Sequence, residues 1–191
     1  AMYRSFAWLI QQEKIDPSDQ LAVESTIPKF QFDILLKPSE ERRYLVQGLD
    51  VTDQIRSTSI SLIASQISAF GAVREAMVAI QRRLGAQSNA VFEGRDMGTV
   101  VFPDAPLKVF LVADVEERAR RRTKQLIEKG ISVNFADLLA DLRARDARDQ
   151  SRAVAPLVPA SDARILDGSF LSINESVQQV LHWWSASSRL A

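Results

Sequence analysis

The sequence predicts an α/β fold organised around a parallel sheet, and three observations carry that expectation. Residues 90–92 and 107–113 are short, largely apolar runs of the kind shown by strands buried on both faces. Residues 164–167 offer a third such run. Segments of helical period separate the second run from the third, and strands alternating with helices build parallel sheets.

Residues 1–12 carry Phe6, Leu9 and Ile10 at helical spacing, with no breaker before Asp16-Pro17. They predict a helix whose start lies upstream of Ala1. Over residues 30–51 the texture changes: FQFDILLK alternates in part between apolar and polar, Pro38-Ser39-Glu40-Glu41 supplies a turn, and RRYLVQGLDV follows as a second short strand pair. A small antiparallel insert is expected there, within residues 27–56. Residues 57–84 return to helical period, with Ile60, Ile63, Ala64 and Ile67 on one stripe, a break near Gly71, then Val73, Met77, Ile80 and Leu84. Asp114 with Glu117 reads as a capping box opening a helix that Gly130 stops. Asn134 with Asp137 opens the next, striped by Phe135, Leu138, Leu139 and Leu142, and residues 175–184 form a last helix.

Composition narrows the function classes. Lys plus Arg and Asp plus Glu are 24 each, so no net field draws the whole molecule to nucleic acid or a membrane. The absence of cysteine excludes disulfides, thiolate metal sites and a cysteine nucleophile. No stretch approaches the ~20 apolar residues of a membrane span, and a cytoplasmic setting is expected. Within the basic residues arginine outnumbers lysine 18 to 6, and arginine is the side chain suited to two-pronged phosphate contacts. Eight of those arginines fall between Arg118 and Arg152, mixed with acids. That pattern also fits two solvated helices laced with pairs such as Asp141 with Arg145 and Arg145 with Asp149.

The most specific local signal is EGRDMGTVVFPDA at residues 93–105. It follows a predicted strand, and ligands of open α/β sheets bind at the carboxyl ends of strands. Gly94 and Gly98 allow a tight turn or a close approach, while Arg95 and Asp96 place a guanidinium and a carboxylate at one point. The same two residues could instead neutralise each other in a structural turn. His182, Trp183 and Trp184 share the last helix, where packing or surface roles are expected, since no acid or serine motif accompanies the histidine.

GRDMGTVVFPDAPLKVFL, then EERARRR, then ARDARDQSRAVAPLVPA resemble, in order, the core and lid motifs of bacterial cytidylate kinases, and the resemblance runs over essentially the whole chain. It implies a single kinase domain over residues 1–191: a P-loop nucleoside monophosphate kinase-like fold with a doubly wound parallel sheet, a small monophosphate-binding insert and a helical lid region at 114–156. It implies ATP as phosphoryl donor with Mg²⁺, CMP or dCMP as acceptor, a monomer, and no nucleic-acid or membrane partner. By position, Arg4, Arg95 and Arg152 match arginines that hold the CMP phosphate. Ser65, Arg74 and Asp96 match residues near the cytosine ring, and Arg145 and Asp149 match lid residues that contact the sugar. Arg118 or Arg122 is expected at the ATP phosphates, with Arg148 joining Arg95 and Arg152 around the transferring group.

One departure stands out. The loop G-x-x-x-x-G-K-[ST] that cradles ATP phosphates in such enzymes is missing, because none of the seven glycines is followed by lysine. In the family that loop precedes the motif matched here by Tyr3-Arg4, so about 35 further residues carrying it and the central strand are expected upstream. As it stands, the chain is expected to be inactive. A kinase for another monophosphate such as UMP, a non-catalytic nucleotide-binding homologue and an arginine-rich nucleic-acid module are the competing readings. Zero net charge and the lack of interleaved aromatics weigh against the last.

Overall fold

The structure is a computed structural model, and it describes residues 1–35, 42–87, 89–151 and 156–187. The predicted turn at Pro38–Glu41 lies outside them. The chain divides into two compact units, residues 1–90 and 91–191.

The first unit is built on helix α1 (Met2–Gln12), whose Met2, Phe6, Leu9 and Ile10 recur at helical spacing and are all buried. Helix α2 (Gln20–Ser25) is capped by Asp19, whose carboxylate accepts from the Ala22 amide at 3.1 Å. The expected insert is a three-stranded antiparallel sheet, β1 (Phe32–Leu35), β2 (Arg43–Val46) and β3 (Leu49–Asp50), in the order β1-β2-β3. Phe32 pairs with Val46, and Val46 with Leu49, so the buried Phe32 and Val46 face one core. Gln47 (φ 51°) and Gly48 (φ 79°) join β2 to β3. Two successive left-handed residues match the twist of a tight hairpin, which is why glycine stands second. Phe6, Phe30, Phe32 and Tyr44 form a run of ring contacts with centroids 5.0, 5.9 and 6.3 Å apart. Helix α3 (Thr58–Ile67) then packs on α1, and α4 (Gly71–Gly85) follows it, breaking where Gly71 predicts and adding Val73 and Met77 to the same core. Ile60, Ile67, Val73 and Met77 are each at most 1% exposed, so this unit holds the larger core.

In the second unit, β4 (Val109–Val112) and β5 (Arg164–Asp167) pair in parallel, Val109 with Arg164 through Val112 with Asp167. The expected parallel pairing is present, between the second and third predicted runs. Residues 90–92 correct the prediction: they are irregular backbone, Val91 is 95% exposed, and no described strand offers them a ladder of hydrogen bonds. Burial on both faces also fails for β4 and β5, since Leu111 and Ile165 are more than half exposed and only Leu166 is buried. Apolar content marks a strand without saying how many faces are covered.

Helix α5 (Val115–Glu128) starts at Asp114, whose carboxylate accepts from the amides of Glu116 (2.9 Å) and Glu117 (3.1 Å). Half of the predicted capping box is formed. Glu117 pairs forward with Arg120 and Arg121 instead of reaching back, and the Asp114 amide donates to Ser169 Oγ at 2.8 Å. Gly130, at φ 72°, ends the helix as expected. Helix α6 (Phe135–Ser151) opens at Asn134, whose side-chain oxygen accepts from the Ala136 amide at 2.8 Å. The last helix, α7 (Ile173–Ser187), starts two residues earlier than predicted, because Ser172 and Glu175 form a capping box of their own. His182 is exposed, and Trp183 lies under the Arg164 guanidinium, 5.5 Å from its ring centroid, in agreement with a packing role.

Candidate functional site

The EGRD residues bend into one turn of π-helix, Met97–Val101, with Asp96 at its start. The Asp96 carbonyl accepts from the amides of Val100 (2.9 Å) and Val101 (3.1 Å), and the Met97 carbonyl from that of Phe102 (2.7 Å). Such wide turns recur at functional sites because they aim side chains that an α-helix would direct elsewhere. Asp96 is buried at 6% exposure, while Arg95 beside it projects outward.

Arg95 does not neutralise Asp96. Its Nε donates to Asp149 Oδ2 at 3.0 Å, across 54 residues of sequence. Arg145 brings its Nε to 3.9 Å from the same oxygen, as i,i+4 spacing on α6 permits. The Asp149 side chain is 3% exposed, whereas those of Arg95 and Arg145 are 45% and 53% exposed. A buried carboxylate therefore holds two arginines that are each about half exposed. That arrangement can take up an added anion, because each guanidinium has more N–H groups than one carboxylate oxygen can use.

One turn earlier on α6, Asp146 receives two bonds from Arg118, Nη1 at 3.2 Å and Nη2 at 2.5 Å. Arg118 Nε donates to the carbonyl of Ala113, at the carboxyl end of β4. Arg118 is thereby held flat between the strand end and α6. Arg121 turns the other way, donating to the carbonyls of Gly168 (2.7 Å) and Ser169 (3.0 Å). Arg122 is exposed on the same helix, and Arg148 is exposed with its Nε donating to the Ala144 carbonyl at 3.4 Å. Arg152 lies outside the described residues.

In the first unit, Ser65 and Arg74 flank the junction of α3 and α4. Ser68 links them: its hydroxyl donates to the Ser65 carbonyl at 2.8 Å, and its own carbonyl accepts from Arg74 Nη1 at 3.3 Å. Arg74 is only 6% exposed, so it is no ordinary surface residue of a helix. Arg4 is half-buried on α1.

Sequence reading did not assign Asp146 to Arg118, nor Ser169 to the start of α5. Asp146 had a signal, since it sits one helical turn from Asp149 and so shares a face with it. Ser169 had only its place in an Asp-Gly-Ser turn, where Asp167 accepts from both its amide and its hydroxyl. Those two bonds hold the Asp167 carboxyl below the usual aspartate range. Among the described residues, no group of three or more His, Cys, Asp or Glu side chains is placed to hold a metal ion. No single helix among them is long and apolar enough to cross a membrane.

Residues 1–185 match the family model described as cytidylate kinase. The cytidylate kinase of Bordetella bronchiseptica is 57% identical over 141 residues, 74% of this chain and 63% of its own length. That of Cupriavidus necator is 47% identical over 186 residues, 97% of this chain and 82% of its own. That of Burkholderia pseudomallei is 48% identical over 184 residues, 96% of this chain and 78% of its own. The match to the Bordetella protein thus spans a little under two thirds of that relative's length.

Proposed function

Because the chain belongs to the cytidylate kinase family, we propose that the protein transfers the γ-phosphoryl group of ATP to CMP or dCMP, giving ADP and CDP or dCDP. The single observation that carries this reading at the level of chemistry is the buried Asp149 with Arg95 and Arg145 arrayed around it. In the transfer, a phosphate oxygen of CMP attacks the γ-phosphorus as the bond to the ADP oxygen breaks. No covalent enzyme intermediate is needed, so the protein's task is alignment and charge compensation. Arg95, with Arg4 and Arg152, holds the acceptor phosphate in line with the donor. Asp149 and Arg145 take the sugar.

Ser65, Arg74 and Asp96 select the base. Cytosine presents an amino donor beside acceptors, and a pocket built to bond that edge leaves groups unpaired with another base. Arg118 or Arg122 meets the ATP phosphates, and Arg148 with Arg95 and Arg152 offsets charge on the transferring group. Mg²⁺ arrives with the ATP phosphates. When bound, it would neutralise charge on those phosphates, beside the guanidinium groups of this chain. Under this reading β4 and β5 belong to a doubly wound sheet of the P-loop kinase type, and the protein is a cytoplasmic monomer with ATP and CMP as its partners, binding neither nucleic acid nor membrane.

The test is ATP turnover by the full-length protein with CMP, dCMP, UMP and AMP in parallel. ADP release that depends on CMP or dCMP supports the reading. Equal or better turnover with UMP or AMP assigns a different monophosphate, and no acceptor-dependent turnover at all would leave a nucleotide-binding homologue.

A further inference from the structure

We propose that Lys108 is a positioning residue for the acceptor site, clamping the Met97–Val101 turn from outside through a cross-link to Asp162. This rests on the functional reading above and extends it to a residue that touches no substrate. Lys108 stands just before β4, and its side chain is only 9% exposed although it carries a charge. Its ammonium donates to both carboxylate oxygens of Asp162, at 2.8 and 2.7 Å, and to the carbonyl of Pro103. The Lys108 hydrogen bond holds the Asp162 carboxyl below the usual aspartate range. One side chain therefore ties together the end of the GRDMGTVVFP segment, the start of β4 and the approach to β5, where the Lys108 carbonyl also accepts from the Arg164 amide at 2.9 Å.

The stem of the lysine is as informative as its head. A Cβ at Gly98 would lie 3.1 Å from Lys108 Cδ and 3.3 Å from Cγ. A side chain at Gly98 would press on the Lys108 methylenes, which lie against the wide turn. Pinned at its base by β4 and at its tip by Asp162, the stem acts as a strap across the turn that sets Arg95 and Asp96. Desolvating an ammonium offsets much of what an ion pair gains, so such a pair adds little net stability. What a neutral side chain cannot reproduce is the fixed register of three chain segments.

The test uses the full-length protein with Lys108→Met, which keeps the stem and removes the charge, Lys108→Arg, which keeps the charge, and Asp162→Asn at the exposed partner. Hydrogen exchange at the Val100, Val101 and Phe102 amides, which close the turn, should quicken about tenfold or more in Lys108→Met, with α1 amides unchanged. KM for CMP should rise about tenfold while KM for ATP stays within about twofold. Asp162→Asn should move both readouts the same way by less, and Lys108→Arg should restore them in large part. Unchanged exchange at the three amides overturns the clamp. A fall in melting temperature with both KM values unchanged, or an equal rise in both, reduces Lys108 to a structural residue and overturns the proposal. If the wild type turns over no CMP, the functional reading fails first. That failure is distinguishable, because the exchange comparison needs no substrate.

Discussion

Replacing Arg95 by alanine separates what this side chain does for stability from what it does for the proposed reaction. In the folded protein its Nε bond to Asp149 is charge-assisted, but the guanidinium is 45% exposed and Arg145 stays within 3.9 Å of the same carboxylate oxygen. Half-solvated pairs of this kind contribute about 1 kcal/mol, and the remaining arginine keeps Asp149 from being left buried and alone. Equilibrium urea unfolding should therefore register a loss of about 1 kcal/mol, small against the ~5–15 kcal/mol of an ordinary domain. The protein stays folded, so lost activity is not lost structure. For the reaction, removing one of the proposed phosphate-holding arginines should lower kcat/KM for CMP by about a hundredfold or more, equivalent to ~3 kcal/mol of transition-state stabilisation. Steady-state ADP release with CMP varied at saturating ATP measures this directly. Arg95→Lys should recover only part of it, since an ammonium cannot reproduce the planar fork. Kinetics with CMP close to wild type would refute the reasoning, however large the change in stability.

Two further outcomes follow from the second unit. Helices α5 and α6 bury only Ala119 and Asp149 among their described residues, so both helices should exchange amide hydrogens readily, and exchange should slow when ATP and CMP are both present; unchanged rates would count against a closing lid. Ser172→Ala should destabilise the α7 start by about 1 kcal/mol at neutral pH, read by urea unfolding. Its hydroxyl and amide hydrogen bonds hold the Glu175 carboxyl below the usual glutamate range. A carboxyl depressed in the folded state stabilises above its unfolded pKa and loses that contribution as pH falls through the folded value. The gap between variant and wild type should accordingly narrow below about pH 4.

Much of the first unit was legible because its signals are local: the stripe of α1, the break at Gly71 and the Gln47-Gly48 hairpin each follow from spacing or from a turn's backbone demand. The parallel pairing of β4 with β5 was legible from apolar runs separated by helices. What those runs could not say is which of them would find a partner, and residues 90–92 show it, being apolar in sequence and irregular in the fold. Strand identity depends on a neighbour's backbone, which no single segment encodes. The candidate site follows the same division. The motif placed Arg95 and Asp96 on a turn, yet the partner of Arg95 lies 54 residues away, and Lys108, inside the run 107–113, carried no signal of its tie to Asp162. Such long-range pairs are set by tertiary packing. Arg74 was visible as a candidate, but its burial was not, because a helix's exposed and covered faces are decided by what packs on them.

A one-pot competition puts the proposed phosphorylation of cytidine monophosphates to a single decisive trial. Equimolar CMP and UMP are given to the full-length protein with limiting ATP and Mg²⁺, and the CDP and UDP formed are separated by anion-exchange chromatography. Because the acceptors compete for one enzyme, the product ratio reports the ratio of their kcat/KM values. CDP should be the dominant product, with UDP lower by about a hundredfold, the discrimination expected of a pocket whose buried polar groups would be left unpaired by the wrong base. UDP formed at a rate equal to or above that of CDP, or ATP left untouched, would contradict it.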